Sequence, residues 1–523
     1  MRPGPVDVLV VGAGPAGLTL ALQALDHQAT VRVVERRVEP FRPSRAVIVH
    51  PRTLEVLRPL GVTDALVARG DVAPSVHLHL GRREVPVHLG PFPLDDTPFP
   101  HLLFEPQAVL ETVLCEALAD RGVEVERGAA LVDVAPRPGG ARATLRRGGD
   151  DEMVECRYVA GCDGAGSTVR ARAGIAWRGG PYRHEVVLAD LELAGPLTSG
   201  VAHAVPTATG IVLVLAAGER ATWRLLATRR PPADPDGAGT PGQLGPPVPT
   251  EVLQALLDAA GLDVRVTSVA WSARVPLQHR LAAAYRSGPL LLVGDAAHAH
   301  SPAGGQGMNT SIQDAVNLGW KLAAAVTLPA GDPTGEALLD TYALERRPVA
   351  RRVLALTHAL FWVEAGTDPV AGLVRRHLAP LGAPALPFLL RHRLAAPAIG
   401  HLAQLRVDYH RSPLSLDGRP PGGPGPRPGA RLPDAPLGVA GRRTRAHDLL
   451  ASPGFHVLLA RDARWPALGT GRARVAVHRV DDWPGRGLVV VRPDGYVGLR
   501  SATGAAEDLR RFFALVGATD GAS

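Results

Sequence analysis

The 523-residue sequence predicts an α/β protein in which one large domain is split by a sheet-rich insert and followed by a smaller α/β domain. The chain opens with an apolar strand, a glycine turn and a helix. Strand-like alternation then dominates residues 177–271, and short apolar strands return after a Pro/Gly-rich stretch near residue 420. We therefore expect the large domain at 1–176 and 272–400, the insert at 177–271, a linker at 401–433 and the last domain at 434–523.

The first element is a Rossmann-like βαβ unit. Residues 6–11 (VDVLVV) form a short apolar run, which is typical of a strand buried on both faces. Residues 18–25 carry apolar side chains at helical spacing, and residues 30–35 (TVRVVE) return to a strand pattern. The first strand and the helix are joined by a glycine turn.

That turn has the pattern GxGxxG and consists of Gly12, Ala13, Gly14, Pro15, Ala16 and Gly17. Gly12 permits the tight turn, Gly14 lets a pyrophosphate approach the backbone, and Gly17 allows the helix to pack closely on the strand. Glu35 stands about 20 residues further on, where an acidic side chain binds ribose hydroxyls. The turn therefore predicts a dinucleotide site, with FAD and NAD both open as ligands.

The later elements follow from the same patterns. Residues 75–87 alternate like a hairpin, and residues 105–119 read as a helix. The strand 290–295 (LLLVGD) leads to a helix that opens at Met308 and Asn309 and runs through Lys321. The last domain ends in a helix near residues 509–516.

Composition excludes several classes of protein. The net charge is +7, but Lys321 is the only lysine and like charges do not form runs, so the basic balance reflects GC-rich codons and no nucleic-acid partner is expected. The three cysteines have neither disulfide nor metal spacing, and no run of 18 uncharged apolar residues occurs. We expect a cytoplasmic protein without a metal site or membrane contact.

Two more turns point to a ligand. Asp163-Gly164 follows an apolar strand, and Gly294-Asp295 ends another, where Asp295 can bind a ribityl hydroxyl. The glycine-rich run from Ser301 to Asn309 brings backbone amides to a helix N-terminus, which suits an electron-rich flavin edge. His298 and His300 form an HxH pair without a third ligand at metal spacing, so packed or hydrogen-bonded histidines are expected.

Together the GxGxxG, Asp163-Gly164 and Gly294-Asp295 motifs resemble those of the class A flavoprotein monooxygenases, the p-hydroxybenzoate hydroxylase family. Residues 428–431 (PGAR) and 491–497 (VRPDGYV) are similar to the aromatic polyketide hydroxylase and phenol hydroxylase branch, whose C-terminal domain is thioredoxin-like. That domain carries no cysteine here, so disulfide exchange is excluded and support or assembly is its expected role.

The resemblance implies a set of site residues. Arg45 matches a family position near the flavin and is the candidate for a catalytic role, whereas Asp163 and Arg170 match a motif that serves both FAD and the nicotinamide reductant. The residues implied to bind FAD are Gly12, Gly14, Pro15, Ala16, Gly17, Glu35, Arg36, Arg45, Gln107, Leu131, Asp163, Arg170, Asp295, Pro302, Gly305, Gly307, Met308 and Asn309.

The resemblance also implies a reaction. NADPH reduces FAD, the reduced flavin and O2 form a flavin C4a-hydroperoxide, and the oxygen is transferred to a phenolic, polyketide-derived ring between the insert and the flavin. Baeyer–Villiger oxidation, epoxidation and a non-catalytic flavin- or ligand-binding role remain alternatives. A halogenase is disfavoured by the position of Lys321, and a hydrolase by the lack of a GxSxG elbow. A monomer or a homodimer is expected.

Overall fold

A computed structural model describes residues 6–40, 46–81, 83–207, 210–216, 218–231, 245–366, 369–419, 421, 425–461, 463, 465–466, 471–482 and 487–518. The predicted α/β class is confirmed. The described residues form three large sheets: one built around parallel strands, one mostly antiparallel, and a smaller mixed sheet near the C-terminus. The division into domains at the predicted boundaries stays a prediction.

The first sheet has five parallel strands at its centre, in the order Leu290–Leu292, Asp150–Gly161, Val6–Val11, Val31–Glu35 and Val125–Arg127. The short strand Arg286–Ser287 closes one edge, and the antiparallel strands Ala129–Arg137 and Gly140–Arg147 extend the first half of Asp150–Gly161. Because both faces of the central strands are covered, their apolar residues are buried, as the continuous apolar run predicted.

Four helices pack around this sheet: Pro15–Asp26, Gln107–Ala119, Gln306–Val326 and Pro333–Ala365, which we call the long helix. The helices Pro15–Asp26 and Gln306–Val326 cross closely, because a Cβ on Gly319 would lie 2.7 Å from the Cβ of Gln23. The helix Gln306–Val326 begins two residues earlier than expected and is buried over nearly its whole length.

The second sheet takes its eight strands from distant parts of the chain. Their order is His298–Ala299, Arg265–Ala282, Trp177–Ala194, Trp223–Arg229, Ile211–Leu215, Ala202–Pro206, Ser75–Leu80 and Arg83–His88. The predicted hairpin at 75–87 is present, but it completes this sheet through a parallel pairing with Ala202–Pro206. The sheet therefore extends beyond residues 177–271 at both ends.

The two faces of the second sheet pack against different parts of the molecule. Helix Thr250–Ala259 covers one face, which we call the outer face, and buries Val187, Leu225 and other apolar residues there. On the opposite, inner face, Val186, Leu188, Val275 and Leu277 pack with Phe361 and Ala365 of the long helix and with Ala303. The inner face is therefore the one that points toward the glycine-rich run from Ser301 to Asn309.

The C-terminal sheet has the order Leu416–Asp417, Val497–Ser501, Leu488–Val491, Phe455–Ala460, Val475–Val480, Pro436–Val439 and Arg442–Arg445, and helix Ala506–Leu515 packs on it. The helix buries Leu509, Phe512 and Phe513 at helical spacing. Within the predicted linker 401–433, Tyr409 and Arg431 are buried, so this stretch is packed between the other parts.

Short elements complete the described chain. A two-stranded sheet pairs Ile48–Val49 with Leu103–Phe104. The short helices are Pro51–Leu57, Arg58–Leu60, Thr63–Arg69, Thr168–Arg172, Gly294–Ala296, Ala303–Gly305, Pro369–Leu373, Val374–Leu378, Ala379–Gly382, Ala383–Ala385, Leu386–Arg391, Arg393–Ala395, Ala396–Leu402 and Ala446–Leu449.

Candidate active site

Three turns meet where the parallel strands of the first sheet end. The Gly12 amide donates to the Val34 carbonyl at 2.8 Å, and the Cys162 amide donates to the Val11 carbonyl at 2.8 Å. The Val293 amide donates to the Gly161 carbonyl at 3.0 Å, which places the Gly294-Asp295 turn beside the other two. Ligands of open parallel sheets bind at this edge, so the three motifs found in the sequence share one site.

Each glycine of the first turn has a distinct spatial reason. Gly12 has φ +102°, and a Cβ there would lie 2.5 Å from the Cys162 carbonyl oxygen. A Cβ on Gly17 would lie 1.9 Å from the Gly12 carbonyl oxygen, whereas a Cβ on Gly14 would meet nothing within 4 Å. The turn is thus packed at Gly12 and Gly17 and open at Gly14, in front of the helix N-terminus, which fits a pyrophosphate.

Glu35 lies beside this opening. Its carboxylate accepts hydrogen bonds from the Ala13 amide at 3.0 Å and from the Arg37 amide at 3.0 Å. The side chain is half-buried, whereas Arg36 is exposed. Glu35 is therefore fixed by the turn that it would serve, with part of its carboxylate open to a ribose.

Gln107 and Leu131 lie on two further walls of the same region. Gln107 begins its helix and donates from Nε2 to Oε1 of Glu111 at 2.7 Å. Burial, reinforced by the negative charge of Glu35, raises the pKa of Glu111 to about 7. Leu131 is buried inside the strand Ala129–Arg137, next to a break in its pairing register.

Asp163 caps the helix Thr168–Arg172. Its Oδ2 accepts from the Thr168 amide at 2.7 Å and from the Val169 amide at 3.1 Å. Its Oδ1 is buried without a hydrogen-bond partner in the described residues, and burial raises the pKa of Asp163. An unpaired buried carboxylate oxygen is costly unless a ligand donates to it, and a flavin cofactor would offer such donors.

Arg170 connects two of the three turns. Its Nη1 donates to the Ala296 carbonyl at 2.9 Å, its Nη2 donates to the Ala165 carbonyl at 2.7 Å, and its guanidinium lies 4.0 Å from the centre of the Trp177 ring. The side chain is 8 % exposed. In this position Arg170 holds the loops of the site together.

The glycine-rich run forms a tight turn before the helix Gln306–Val326. Gly304 and Gly305 have φ angles of +71° and +62°, and the first helical turn contains Gly307 and Met308. Asp295 is half-buried one strand end away, and Pro302 is exposed. The Gly305 amide donates to the Pro302 carbonyl at 3.0 Å. The first amides of a helix have no partner within the helix, so those of the helix Gln306–Val326 suit an electron-rich ligand edge.

Asn309 uses its side chain on neighbouring segments. Its Oδ1 accepts from the His50 amide at 2.8 Å and from Thr53 Oγ1 at 2.7 Å, while its Nδ2 donates to the carbonyls of Ile48 at 2.9 Å and Gly305 at 2.7 Å. The residue is completely buried. Its side chain therefore anchors the turn, and only its backbone is available to a ligand.

Arg45, the expected catalytic residue, lies outside the described residues. Of the HxH pair, His298 bonds from Nε2 to Asp314 Oδ2 at 2.7 Å, and Arg346 donates to Asp314 Oδ1 at 2.6 Å. The charges of Arg346 and His298 hold the pKa of Asp314 below its usual value although burial opposes this. His298 is thus a hydrogen-bonded core residue, and no cluster able to hold a metal occurs among the described residues.

Sequence reasoning missed an aromatic cluster at the inner face. Tyr182 Oη lies 3.3 Å from His358 Nδ1, and the Tyr182 ring centre lies 4.9 Å from the ring centres of both His279 and Phe361. The cluster joins two strands to the long helix, so no local pattern in the sequence could reveal it. It lies beside Ala303, at the glycine-rich turn.

The inner face also carries a row of apolar residues across five strands. The pairing register aligns Leu188 with Leu226, Leu226 with Leu213, Leu213 with Ala204, and Ala204 with Leu78. Leu78, Leu213 and Leu226 are only half-buried, whereas Val212, Val214 and Leu225 on the outer face are buried. We call the five aligned residues the apolar platform, and its three half-buried leucines keep part of their surface exposed.

Comparison with known proteins agrees with this geometry. The profile of the FAD binding domain matches residues 5–357, and that of the aromatic-ring hydroxylase C-terminal domain matches residues 425–516. The chain belongs to the FAD-dependent aromatic monooxygenases. FAD is accordingly the cofactor of this monooxygenase, and the three turns at the strand ends lie within the residues that match the FAD binding domain.

Relatives of known activity cover nearly the whole chain. The 6-methylpretetramide 4-monooxygenase of Streptomyces rimosus is 36% identical over 542 residues, which cover 96% of this monooxygenase and 92% of the relative. The solved structure of CabE, an aromatic hydroxylase from angucycline biosynthesis, is 31% identical, with a TM-score of 0.77 and coverage of 99% and 100%. The rebeccamycin biosynthetic enzyme RebC with reduced flavin is 26% identical, with a TM-score of 0.74 and coverage of 99% and 100%.

Proposed function

We propose that this monooxygenase consumes NADPH and hydroxylates a polyketide-derived phenolic ring. The observation that carries the proposal is the apolar platform on the inner face of the second sheet, directed at the FAD site. The proposal is further supported by the full-length relative that acts on 6-methylpretetramide and by CabE from angucycline biosynthesis.

Eighteen residues are proposed to hold FAD or act beside it. Gly14 leaves room for the pyrophosphate, Glu35 binds the ribose, and Asp295 binds the ribityl chain. The amides of the first turn of the helix Gln306–Val326 would donate to the pyrimidine end, where negative charge develops on reduction. The others are Gly12, Pro15, Ala16, Gly17, Arg36, Arg45, Gln107, Leu131, Asp163, Arg170, Pro302, Gly305, Gly307, Met308 and Asn309.

When bound and reduced by NADPH, FAD would supply the electrons that activate O2 for transfer of one oxygen atom to the ring. The chain's own residues do the rest of the work. Leu213 and Leu226 hold the flat ring by apolar contact and exclude water, which protects the reactive oxygen from side reactions. Tyr182 offers a hydroxyl to an oxygen substituent of the ring, at the end of the inner face that lies nearest to Ala303.

The test uses the FAD-loaded full-length protein and a panel of polycyclic phenols and simple phenols. We expect at least one polycyclic phenol to stimulate NADPH oxidation and to gain one labelled oxygen atom from 18O2, as measured by mass spectrometry. A product with oxygen inserted into a ring bond would indicate Baeyer–Villiger oxidation instead of hydroxylation. An epoxide product would indicate epoxidation. NADPH oxidation that no aromatic compound stimulates would overturn the proposed substrate class.

Failure at an earlier step has a different meaning. If stopped-flow absorbance shows no flavin reduction by NADPH or NADH with any ligand, the protein is a flavin- or ligand-binding protein without turnover.

No helix in the described part of the chain is long and apolar enough to cross a membrane. We propose that the enzyme acts in the cytoplasm as a monomer or a homodimer.

A further inference from the structure

The VRPDGYV segment at 491–497 lies at the contact between the C-terminal sheet and the FAD-binding domain. Arg492 donates from Nη1 and Nη2 to the two carboxylate oxygens of Glu345, on the long helix, at 2.7 and 2.8 Å. Lys321 Nζ donates to the same carboxylate at 2.7 Å. All three side chains are at most 3 % exposed, so the charges are paired where water cannot reach them.

This contact reaches the helix Gln306–Val326 directly. Asn317, on that helix, donates from Nδ2 to Asp494 Oδ2 at 3.0 Å and to Glu345 Oε2 at 2.7 Å. The positive charges of Arg492 and Lys321 lower the pKa of Glu345 although burial opposes this. The Glu345 carboxylate is therefore held in its ionised form at the contact.

The same segment also reaches a second helix, Pro51–Leu57. Arg52 donates from Nη2 to the Asp494 carbonyl at 2.7 Å and lies 4.8 Å from the centre of the Tyr496 ring. Its other arm donates to Glu55 at 2.9 Å, and Glu55 accepts from Arg431 at 2.9 Å. The segment thus contacts two helices of the FAD-binding domain through one aspartate.

These two helices meet at the glycine-rich turn. Asn309 lies near the start of Gln306–Val326, and it is bonded to His50 and Thr53 at the start of Pro51–Leu57. Asn309 also holds Gly305 in place, because its Nδ2 donates to the Gly305 carbonyl. A shift of either helix would therefore move the amides that face the flavin.

We propose that Asp494, Arg492 and Glu345 are positioning residues for FAD: the C-terminal domain fixes the two helices whose N-termini set the flavin-binding turn. The role requires no contact between this domain and the cofactor. It gives a cysteine-free thioredoxin-like domain a task in cofactor binding, and it does not depend on which substrate the enzyme oxidises.

The test compares isosteric variants of two buried aspartates in the same domain. Asp494→Asn removes the charge that binds Arg492 and faces Asn317 on the helix Gln306–Val326, and it leaves the carbonyl that Arg52 contacts. Asp434→Asn removes a charge whose partners, the Arg445 side chain and the His447 amide, belong to the C-terminal domain itself. FAD dissociation constants are measured by fluorescence titration of apo full-length protein, and thermal midpoints by circular dichroism of the same samples.

We expect Asp494→Asn to weaken FAD binding about 2- to 30-fold, since mutations that couple to a site without touching it have effects of this size. Asp434→Asn should lower the thermal midpoint while leaving the dissociation constant within about twofold. Arg492→Lys keeps the charge but loses the two-pronged pairing, so it should fall between wild type and Asp494→Asn.

Equal dissociation constants for wild type, Asp494→Asn and Arg492→Lys would overturn the proposal. So would a loss of affinity in Asp434→Asn as large as that in Asp494→Asn, because affinity would then follow stability alone. If Asp494→Asn does not fold, Arg492→Lys and the spectrum of its bound flavin decide, since a displaced turn changes the flavin absorption bands and a mere loss of stability does not.

Discussion

At the scale of single residues, Glu111 is a carboxyl group with a raised pKa next to the part of the site that is proposed to bind the ribose. It is half-buried, hydrogen-bonded to Gln107, and close enough to Glu35 for the two negative charges to interact. Burial raises its pKa to about 7 from an ordinary 4.5. Below about pH 7 the group is therefore mainly a neutral acid beside the part of the site that is proposed to bind the ribose.

Replacing Glu111 by Gln should change how stability depends on pH. Because folding raises this pKa, the folded wild type binds a proton more tightly than the unfolded chain, and its stability falls as pH rises from about 4.5 to about 7. Glu111→Gln lacks that fall. The thermal midpoint of the variant minus that of wild type should therefore increase over this window and stay level above it; a constant difference would contradict the assignment.

Tyr182 is the residue of the aromatic cluster most suited to orient a substrate. Its hydroxyl is paired with the exposed His358, so a ligand oxygen can join the pair from solvent. The ring is held by Phe361 and His279, and it therefore keeps its place when the hydroxyl is removed.

Tyr182→Phe should raise the substrate KM about 2- to 10-fold, the worth of one hydrogen bond, and lower the fraction of NADPH that yields hydroxylated product. The rest appears as hydrogen peroxide, which a peroxidase-coupled assay measures. Tyr158→Phe, on a strand of the first sheet, is the matched control and should leave both values unchanged. An unaltered product fraction in Tyr182→Phe would remove Tyr182 from the site.

At the scale of elements, the glycine turn could be predicted in detail, because its geometry is set by neighbours in sequence. Gly12, Gly14 and Gly17 lie where the pattern places them, and the spaces around them differ as predicted for a tight turn, a ligand approach and a helix contact. Asn309 was harder. Its spacing shows that it opens a helix, but three of its four side-chain bonds depend on residues about 260 positions away.

Two alanine substitutions in this turn should have opposite consequences. Gly14→Ala meets no atom within 4 Å, so the apo protein should keep its thermal midpoint while the new methyl group blocks the pyrophosphate and abolishes FAD binding. Gly17→Ala places a Cβ 1.9 Å from the Gly12 carbonyl oxygen and should lower the midpoint by several degrees. Circular dichroism and FAD titration separate the two effects, and a stable, FAD-binding Gly14→Ala would refute the pyrophosphate position.

At the scale of the whole molecule, the α/β class could be predicted from the sequence, but the contacts between distant parts of the chain could not. The Pro/Gly-rich stretch before residue 433 has the composition of a free linker, yet Arg431 in it is buried and bonded to Glu55 and Asp96. Paired charges such as Glu345 and Arg492 are distant in sequence and look like surface residues. Their burial follows from the contact between domains, which no local pattern encodes.

Ending the chain at residue 400 should therefore prevent folding of the FAD-binding domain. Glu55 would lose Arg431, Glu345 would lose Arg492, and Trp320 would lose its contact with Phe455. Glu55 and Glu345 would keep one cation each, Arg52 and Lys321, but removing one partner from a buried ion pair costs about 3–5 kcal/mol. We expect insoluble material on expression, with the full chain as control; a soluble fragment that binds FAD would show that the domain stands alone.

The parallel pairing of the hairpin 75–88 with strand Ala202–Pro206 has a consequence for the order of events at synthesis. The hairpin leaves the ribosome more than 100 residues before its partner. The strand Ser75–Leu80 therefore has one unpaired edge while the intervening chain is made. Its other edge, Arg83–His88, carries Pro86 and charged residues that discourage pairing with a second molecule. The hairpin that completes the second sheet, and with it the proposed substrate surface, thus carries residues that protect it from aggregation until the sheet closes.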